Sequence, residues 1–251
     1  MTELLYMQDF DVETCDAEVL VVDQADDGRM DVVLDQTCFY ARGGGQDWDM
    51  GVIGSDGTSF QVEEVRLDEV GVVHHIGKNV SGQLGVGDSV KCEVDHDRRA
   101  INTRLHSAAH VIDMAIDSLG LGWIATKGQH YPHLSAVEYS GVLDSEKATS
   151  LQAEIESLAN QFIERGSNNT LKFMPVSEMH NFCRHVPENI PTDKPGRVVI
   201  YGENFGIPCG GTHVRDIAQV GTLKIAGLKT KRGVIRLSYS VGGINDENTN
   251  A

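Results

Sequence analysis

Four residues of types that commonly bind transition metals stand in two closely spaced pairs. His106 and His110 are four positions apart, so on a helix both imidazoles lie on one face and can bind a single ion. Alone, such a pair is weak evidence, because short motifs arise by chance. Cys209 and His213 form the second pair, with two glycines between them that let the backbone turn tightly beside an ion. Imidazole and thiolate donors suit zinc better than Mg²⁺ or Ca²⁺, and we predict one zinc ion per chain at these residues.

A shell of four protein ligands is typical of structural zinc, whereas catalytic zinc usually keeps one position open for water or substrate. Three interpretations remain open at this point. One ligand is loosely held, the ion expands to five-coordinate when substrate arrives, or the ion organises a pocket in which other groups act.

Helices and strands must bring the two pairs together. Apolar residues recur at helical spacing from 100 to 119, and Asp97 is available as an N-terminal cap. A second helix is predicted from Ser145 to Arg165. Strands are predicted at 197–201 and 233–239. We therefore expect an α+β domain with helices packed on an antiparallel sheet.

The first hundred residues follow a different pattern. Short alternating segments, such as 17–22 and 30–34, are separated by Asp/Gly turns, which predicts a small β-barrel. The period changes near Asp95. We therefore predict an N-terminal β-barrel domain at 1–95 and a zinc-binding α+β domain at 96–251, in a chain of 251 residues.

Composition narrows the class of protein. No apolar run is long enough to span a membrane, and the N-terminus lacks the pattern of a signal peptide, so we expect a cytoplasmic protein with no membrane partner. The five cysteines are scattered and odd in number, which favours reduced or metal-bound thiols over a disulfide framework. His74, His75, His96, His180 and His185 lack a partner at ligand spacing, and the paired histidines are expected on an exposed strand.

Charge is distributed unevenly along the chain. The net charge is −16, and residues 1–100 hold 22 acidic and 7 basic side chains, whereas the rest hold 15 and 14. Residues 217–245 contain no acidic residue, and a basic cluster lies inside that range: Lys224, Lys229, Lys231, Arg232 and Arg236. A solvated strand face and an RNA contact explain this cluster equally well.

Three motifs carry a resemblance to a known family. The HxxxH of His106 and His110, with Cys-Gly-Gly-Thr-His at 209–213, resembles the editing domain of alanyl-tRNA synthetase and its free-standing relatives, the AlaX proteins. The segment 39–51, which contains Gly43-Gly44-Gly45-Gln46, resembles the glycine-rich motif of the family's barrel, although Arg42, Asp47 and Trp48 depart from it. The similarity covers nearly the whole chain and continues through 197–202, 221–225 and 231–237.

The resemblance implies an ATP-independent hydrolase of the medium-length AlaX form, which acts in trans and serves translation fidelity. Its expected substrate is tRNA specific for alanine that carries a wrong amino acid, chiefly serine and secondarily glycine. A polar group is needed to select serine over alanine, because a merely roomy pocket rejects alanine weakly. Thr126 is the expected partner of the serine hydroxyl, although a purely structural role on a strand explains this threonine equally well. Gln129 and then His130 come next.

Further residues are expected to bind substrate. The resemblance implies that Gly43, Gly44, Gly45 and Gln46 shape the pocket. Phosphate contacts are expected from six of the basic residues of the second half, which are Lys127, Lys224, Lys229, Lys231, Arg232 and Arg236.

Two rival interpretations belong to other classes. In the first, the zinc ion is structural and the protein is a non-catalytic RNA-binding module. In the second, the protein is a zinc hydrolase of small esters and has no RNA partner. Competition by uncharged tRNA distinguishes the second rival from an editing enzyme. The sequence carries no indication of the oligomeric state.

Overall fold

The computed structural model describes residues 1–188, 190–192 and 194–244, so residues 245–251 of the predicted second domain lie outside it. The described chain separates into two compact units, one of Met1–Gly43 with Asp47–Ala100 and one of Gly44–Gln46 with the residues from Ile101 onward. The helices of the described residues are α1 (His96–Ser118), α2 (Ala148–Arg165) and three short 3₁₀ turns. The strands are β1 (Glu3–Leu4), β2 (Thr14–Gln24), β3 (Met30–Leu34), β4 (Gln36–Thr37), β5 (Gly51–Ser55), β6 (Thr58–Leu67), β7 (Val73–Ser81), β8 (Ser89–Val94), β9 (Ile124–Tyr131), β10 (Leu134–Ser140), β11 (Thr170–Met174), β12 (Gly196–Tyr201), β13 (Phe205–Pro208), β14 (Leu223–Lys231) and β15 (Val234–Val241).

The first unit contains a closed six-stranded barrel, which confirms the predicted β-barrel. Its strands are antiparallel in the order β2-β3-β7-β6-β5-β8, and the pairing of β8 with β2 closes the ring. Strand β8 shows how the sequence builds it, because Val90, Cys92 and Val94 are buried while the residues between them are exposed. Period-two alternation places one set of side chains inside the barrel and the other in water. Phe39 and Phe60 are fully buried in the core.

The paired histidines differ from the prediction of an exposed pair. His74 is half-buried and binds Asp31, whereas His75 points into the barrel and is fully buried. Nδ1 of His75 donates to the carbonyl of Val32 at 3.0 Å, and its Nε2 accepts from the hydroxyl of Thr37 at 2.8 Å. Alternation along β7 explains the difference, because adjacent residues of a strand face opposite sides. Burial lowers the pKa of His75 to about 4, so this imidazole is neutral in the folded protein.

This buried imidazole predicts an acid-sensitive barrel. Its folded pKa of about 4 lies below the unfolded value, so the unfolded state binds the proton more readily. Above about pH 6.5, the neutral His75 imidazole makes its full contribution to the free energy of unfolding. As pH falls toward 4, about 3 kcal/mol of this contribution is lost. Urea unfolding at pH 7 and pH 4 should therefore show a smaller loss for His75→Gln than for the unsubstituted protein. The exposed control, His180→Gln, should behave like the unsubstituted protein, and equal losses in all three would contradict the assignment.

Helix α1 begins at a buried ion pair. The guanidinium of Arg99 binds the carboxylate of Asp49, and it also donates to the carbonyls of Val12 at 2.9 Å and Cys38 at 2.7 Å. Asp95, rather than the predicted Asp97, caps the helix, because its carboxylate accepts from the N–H of Arg98 at 3.0 Å. Asp97 lies within the first turn, where a negative charge favours the helix dipole.

The second unit contains two antiparallel sheets, ordered β14-β15-β10-β9 and β11-β12-β13. Helix α2, predicted from Ser145, begins at Ala148 and packs on β14. Asn160 fixes that contact, because its amide exchanges hydrogen bonds with the backbone of Leu223. The strands predicted at 197–201 and 233–239 exist as β12 and β15, but they belong to different sheets. The expected packing of helix on antiparallel sheet is confirmed.

In the part of the chain that the structure describes, neither α-helix combines the length and the apolar character that a membrane crossing requires.

Candidate metal centre and adjoining pocket

The four predicted metal ligands come together in the second unit. His106 and His110 lie one turn apart on α1, and Cys209 and His213 lie on the turn that follows β13. One donor atom from each residue lies within 4.8 Å of the others. The three imidazoles are buried, and Cys209 is partly exposed. Three imidazole nitrogens and one cysteine sulfur are therefore close enough to bind one metal ion.

Each imidazole of this cluster is held by its Nδ1 atom. The Nδ1 of His106 lies 2.7 Å from Oε1 of Gln46, that of His110 lies 3.2 Å from the carboxylate of Asp113, and that of His213 lies 3.0 Å from the hydroxyl of Tyr201. Partners of this kind fix the tautomer and orientation of a metal-binding histidine.

The remaining ring nitrogens are directed at the cluster. Among the described residues, the buried Nε2 atoms of His110 and His213 have no hydrogen-bond partner. The Nε2 of His106 lies 3.5 Å from Sγ of Cys209. Buried polar atoms are rarely left unpaired, so this pattern indicates a ligand between them. The donor set fits a zinc ion held by His106, His110, Cys209 and His213.

Charge within the cluster favours the ligand form of the cysteine. Burial raises the pKa of Cys209, but its interaction with the neighbouring His110 outweighs burial and lowers that pKa overall. Burial lowers the pKa of His110, yet its hydrogen bond to Asp113 and its interaction with Cys209 raise it to about 9. The shift of the Cys209 pKa therefore favours its thiolate form. The thiolate is the form of cysteine that binds metals.

The turn that carries Cys209 is shaped by close approaches. Arg197 donates from Nη1 to the carbonyls of Cys209 at 3.0 Å and Gly211 at 2.7 Å, which fixes the turn. A Cβ atom at Gly211 would stand 2.2 Å from Cε1 of His106, so a side chain cannot be accommodated there. Glycine at this position lets the turn reach the helix.

The glycine-rich motif contributes one side chain to the site. Gln46 is fully buried, and its Oε1 accepts from both Nδ1 of His106 and the N–H of Thr212 at 3.1 Å. Its Nε2 donates to the Thr212 hydroxyl at 2.8 Å. Gln46 thus links the two halves of the metal cluster. In the structure, Gln46 contacts the metal-binding residue His106. The sequence analysis placed Gln46 among the residues that bind substrate.

The glycines before Gln46 have separate roles. Gly45 has a φ of +81°, and a Cβ there would stand 2.3 Å from the carbonyl oxygen of Gly128. Its own carbonyl accepts from the N–H of His130 at 2.9 Å. Gly43 and Gly44 are exposed. The close backbone approach of this motif therefore occurs at Gly45.

His130 lies against the metal cluster. Its ring stacks on that of His106 at 4.6 Å between centroids. The hydroxyl of Tyr239 donates to the carbonyl of Leu105, so Nδ1 of His130 donates to that hydroxyl at 2.8 Å. Burial lowers the pKa of His130 to about 3 and keeps the ring neutral. The stack supports the orientation of His106 without adding charge.

A pocket of about 290 Å³ adjoins the cluster at His110. Its walls are mainly apolar and include Trp123, Ala125, Phe205 and Ile207. The carboxylate of Asp113 at this wall accepts from the hydroxyl of Tyr139 at 2.7 Å as well as holding His110. Pockets with mostly apolar walls and a few placed polar groups are typical ligand sites.

Thr126 and Gln129 both lie on β9. Thr126 is exposed, and its hydroxyl donates to the carbonyl of Glu138 at 3.1 Å. Gln129 is half-buried, and its Oε1 accepts from Arg236 at 3.2 Å. Thr126 follows Ala125, which lines the pocket.

The basic residues predicted to bind phosphate lie on the sheet β14-β15-β10-β9 or at its turn. Lys127 is paired with Glu138, Glu138 with Arg236, and Arg236 with Lys229 in cross-strand register, so these four side chains form a row on one face. Arg236 binds the Glu138 carboxylate at 3.0 Å. The remaining residues are exposed, and they are Lys224, Lys231 and Arg232, the last with a φ of +53° in the turn before β15.

The sequence analysis did not identify the residues that position the metal-binding side chains. Asp113 lies three residues after His110 on the same helix, a spacing that places side chains side by side and was a usable signal. Tyr201, Arg197 and Tyr239 act through contacts between distant parts of the chain, which no local pattern reveals.

Comparisons with known proteins relate the chain to alanyl-tRNA editing proteins and to alanine–tRNA ligases. A family model of class II (A) tRNA synthetases matches residues 6–98. The alanyl-tRNA editing protein AlaX-M of Methanosarcina barkeri is 35% identical over 251 residues, which cover 95% of this chain and 98% of that protein. The alanine–tRNA ligase of Methanobrevibacter smithii is 32% identical over 252 residues, and that of Methanothrix thermoacetophila is 33% identical over 248. The chain covers 27% and 25% of these two ligases, so it spans about a quarter of their length.

Proposed function

The chain belongs to the alanyl-tRNA editing protein family, and from this membership we propose that it hydrolyses the ester between a wrong amino acid and tRNA specific for alanine. Serine is the proposed main substrate, and glycine the second. The observation that carries the proposal is the cluster of His106, His110, Cys209 and His213 beside a pocket. An aminoacyl ester is already activated, so placing a water and stabilising the developing oxyanion suffices.

The protein's own residues supply position and orientation. A zinc ion bound to the cluster would polarise the ester carbonyl or a bound water. Gln46, Asp113 and Tyr201 hold the three imidazoles so that each Nε2 faces the same point. Neutral His130 shields the face of His106 on which it stacks. Such preorganisation removes the reorganisation that water would otherwise require during the reaction.

Selection of serine is assigned to the edge of β9. The hydroxyl proton of Thr126 is donated to Glu138, which leaves the oxygen lone pairs to accept from a serine hydroxyl. Gln129 uses its Oε1 for Arg236, so its NH₂ group is the part assigned to the substrate. A site that hydrogen-bonds a substrate hydroxyl discriminates against a substrate that lacks it, because that hydrogen bond is then lost. Alanine is rejected on this basis.

The adjoining pocket is assigned to the terminal adenosine of the tRNA. Serine is too small and polar for its apolar walls, whereas a purine base packs well against aromatic side chains such as Trp123 and Phe205. The ester oxygen joins the ribose of this nucleoside to the amino acid, so a base in the pocket leaves the ester beside His110.

The row of Lys127, Arg236 and Lys229 is assigned to phosphates near the end of the tRNA. Lys229→Glu should raise KM severalfold, leave kcat unchanged and reduce the slope of log KM against log salt by about one, because one phosphate contact is lost. Lys91→Glu, on an exposed position of the barrel, is the matched control and should change neither. A Lys229→Glu enzyme with unchanged KM and salt slope would remove this lysine from the contact surface.

A substrate panel tests the proposed function. The zinc-loaded protein is incubated with tRNA specific for alanine that carries serine, glycine or alanine, and with a small serine ester, and release of amino acid is followed. We expect hydrolysis of the seryl and glycyl substrates, inhibition by uncharged tRNA, and slow cleavage of the small ester. Equal cleavage of the small ester without competition by tRNA supports a general esterase, and binding without any cleavage supports a non-catalytic module.

A further inference from the structure

Three thiols lie together in the barrel, apart from the metal cluster. Cys15 on β2 stands directly opposite Cys92 on β8, and Cys38 follows β4 into the same core. Cys38 and Cys92 are fully buried, whereas Cys15, the second residue of its strand, is partly exposed. The Cys15 thiol interacts with both of the others. All three belong to the first unit.

The backbone brings Cys15 and Cys92 within bonding reach. Residues directly opposite in an antiparallel pair have Cα atoms about 4.5 to 5.5 Å apart, and disulfides form across about 4.4 to 6.8 Å. Cys15 and Cys92 are such a pair, and both side chains point into the barrel. Side chains turned to rotamers that face each other can therefore bond with little movement of either strand.

The surroundings make Cys15 the most acidic of the three thiols. Hydrogen bonds from the thiols of Cys38 and Cys92 outweigh the effect of burial and lower the pKa of Cys15 to about 3. The same interactions raise the pKa of Cys38 and of Cys92, which remain protonated. By contrast, burial raises the pKa of Cys183 in the second unit to about 11. The thiolate is the nucleophile in oxidation, so reactivity is concentrated at Cys15.

We propose that Cys15 is a site of oxidation by hydroperoxides and that Cys92 completes the reaction by forming a disulfide with it. In the first step, the Cys15 thiolate attacks one peroxide oxygen, the O–O bond breaks, and the leaving alkoxide takes up a proton. Cys15 becomes a sulfenic acid. In the second step, the sulfur of Cys92 gives up its proton and attacks Cys15, the S–O bond breaks, and the hydroxide leaves as water. Two thiols and one hydroperoxide thus give a disulfide, an alcohol and water.

The bond would lie at the seam where β2 and β8 close the barrel. A covalent link there joins the first and the last of the six barrel strands in chain order, so oxidation should stabilise the barrel against unfolding. Among the described residues, the three thiols are not part of the group of donors that could hold a metal ion. An oxidisable pair therefore fits them better than a second metal site. The inference does not depend on the proposed function.

Peptide mapping after peroxide treatment tests the site. The full zinc-loaded chain is used, because zinc protects Cys209, and it is treated with hydrogen peroxide, alkylated and digested. We expect a single Cys15–Cys92 disulfide, reversal by dithiothreitol, and Cys183 still reduced. Cys38→Ala and Cys92→Ala remove neighbouring buried thiols of equal size and serve as a matched pair. The disulfide should persist in Cys38→Ala, and in Cys92→Ala Cys15 should be trapped as a sulfenic acid by a 1,3-diketone probe.

Two results would overturn the inference. One is a Cys15 that stays reduced while the protein is exposed to peroxide at a dose that oxidises free cysteine. The other is a Cys15–Cys38 bond in place of the expected one. Mapping of the unsubstituted chain alone decides between these outcomes, so the test stands even when an alanine variant fails to fold.

Discussion

Cys209→Ala is expected to remove bound zinc and to lower kcat/KM for deacylation by about a thousandfold or more, because polarisation by a metal is worth several kcal/mol. The thiolate is the only anionic donor among the four residues of the cluster, and its partly exposed position makes its loss mild for packing. Metal content by mass spectrometry and single-turnover hydrolysis of seryl-tRNA measure the two effects.

Cys183→Ala is the matched control for this change. It removes a buried cysteine of the same unit that lies outside the cluster, so zinc content and activity should be kept. A Cys209→Ala protein that keeps its zinc and its activity would exclude the thiolate as a ligand. A folded protein that loses zinc but keeps full activity would show that the metal does not serve the reaction.

Gln46→Leu is expected to reduce zinc affinity and kcat/KM by about 10 to 100-fold, the usual effect of losing a residue that holds a metal-binding histidine. Leucine removes the acceptor for Nδ1 of His106 and leaves that buried N–H unpaired. Gln46→Glu keeps an acceptor oxygen for His106 but loses the donor to Thr212. It should therefore retain more affinity than Gln46→Leu, and chelator competition measures both.

Gln61→Leu is the control for the glutamine change. Gln61 donates from its amide to the carbonyl of Gly51 on the barrel, so it carries the same chemistry away from the cluster. Equal zinc affinity in Gln46→Leu and Gln61→Leu would rule out the holding role. The glycine-rich motif would then have to act through its backbone, at Gly45.

Local patterns predicted the parts of the site that neighbours in sequence create. The helical spacing of His106 and His110 and the short turn of Cys209 and His213 each need only a few residues, and the cluster contains all four. The alternating segments predicted a barrel because each strand buries every second residue.

Local sequence patterns could not predict contacts between residues that are far apart in the chain. Gln46 is 60 residues from His106 and 166 from Thr212, so no local period connects them. The burial of His75 depends on which face of β7 turns inward, and a shift of one residue reverses the face. The helix cap fell to Asp95 rather than Asp97 because the chain leaves the barrel at that point and α1 begins one residue later.

The most direct test of the proposed function compares release of serine and alanine from charged tRNA specific for alanine by the same enzyme sample. Zinc is first removed by a chelator and then restored. We predict rapid loss of serine, retention of alanine, no hydrolysis after zinc removal and recovery when zinc is added back. Intact seryl-tRNA in the presence of folded, zinc-loaded protein would contradict it.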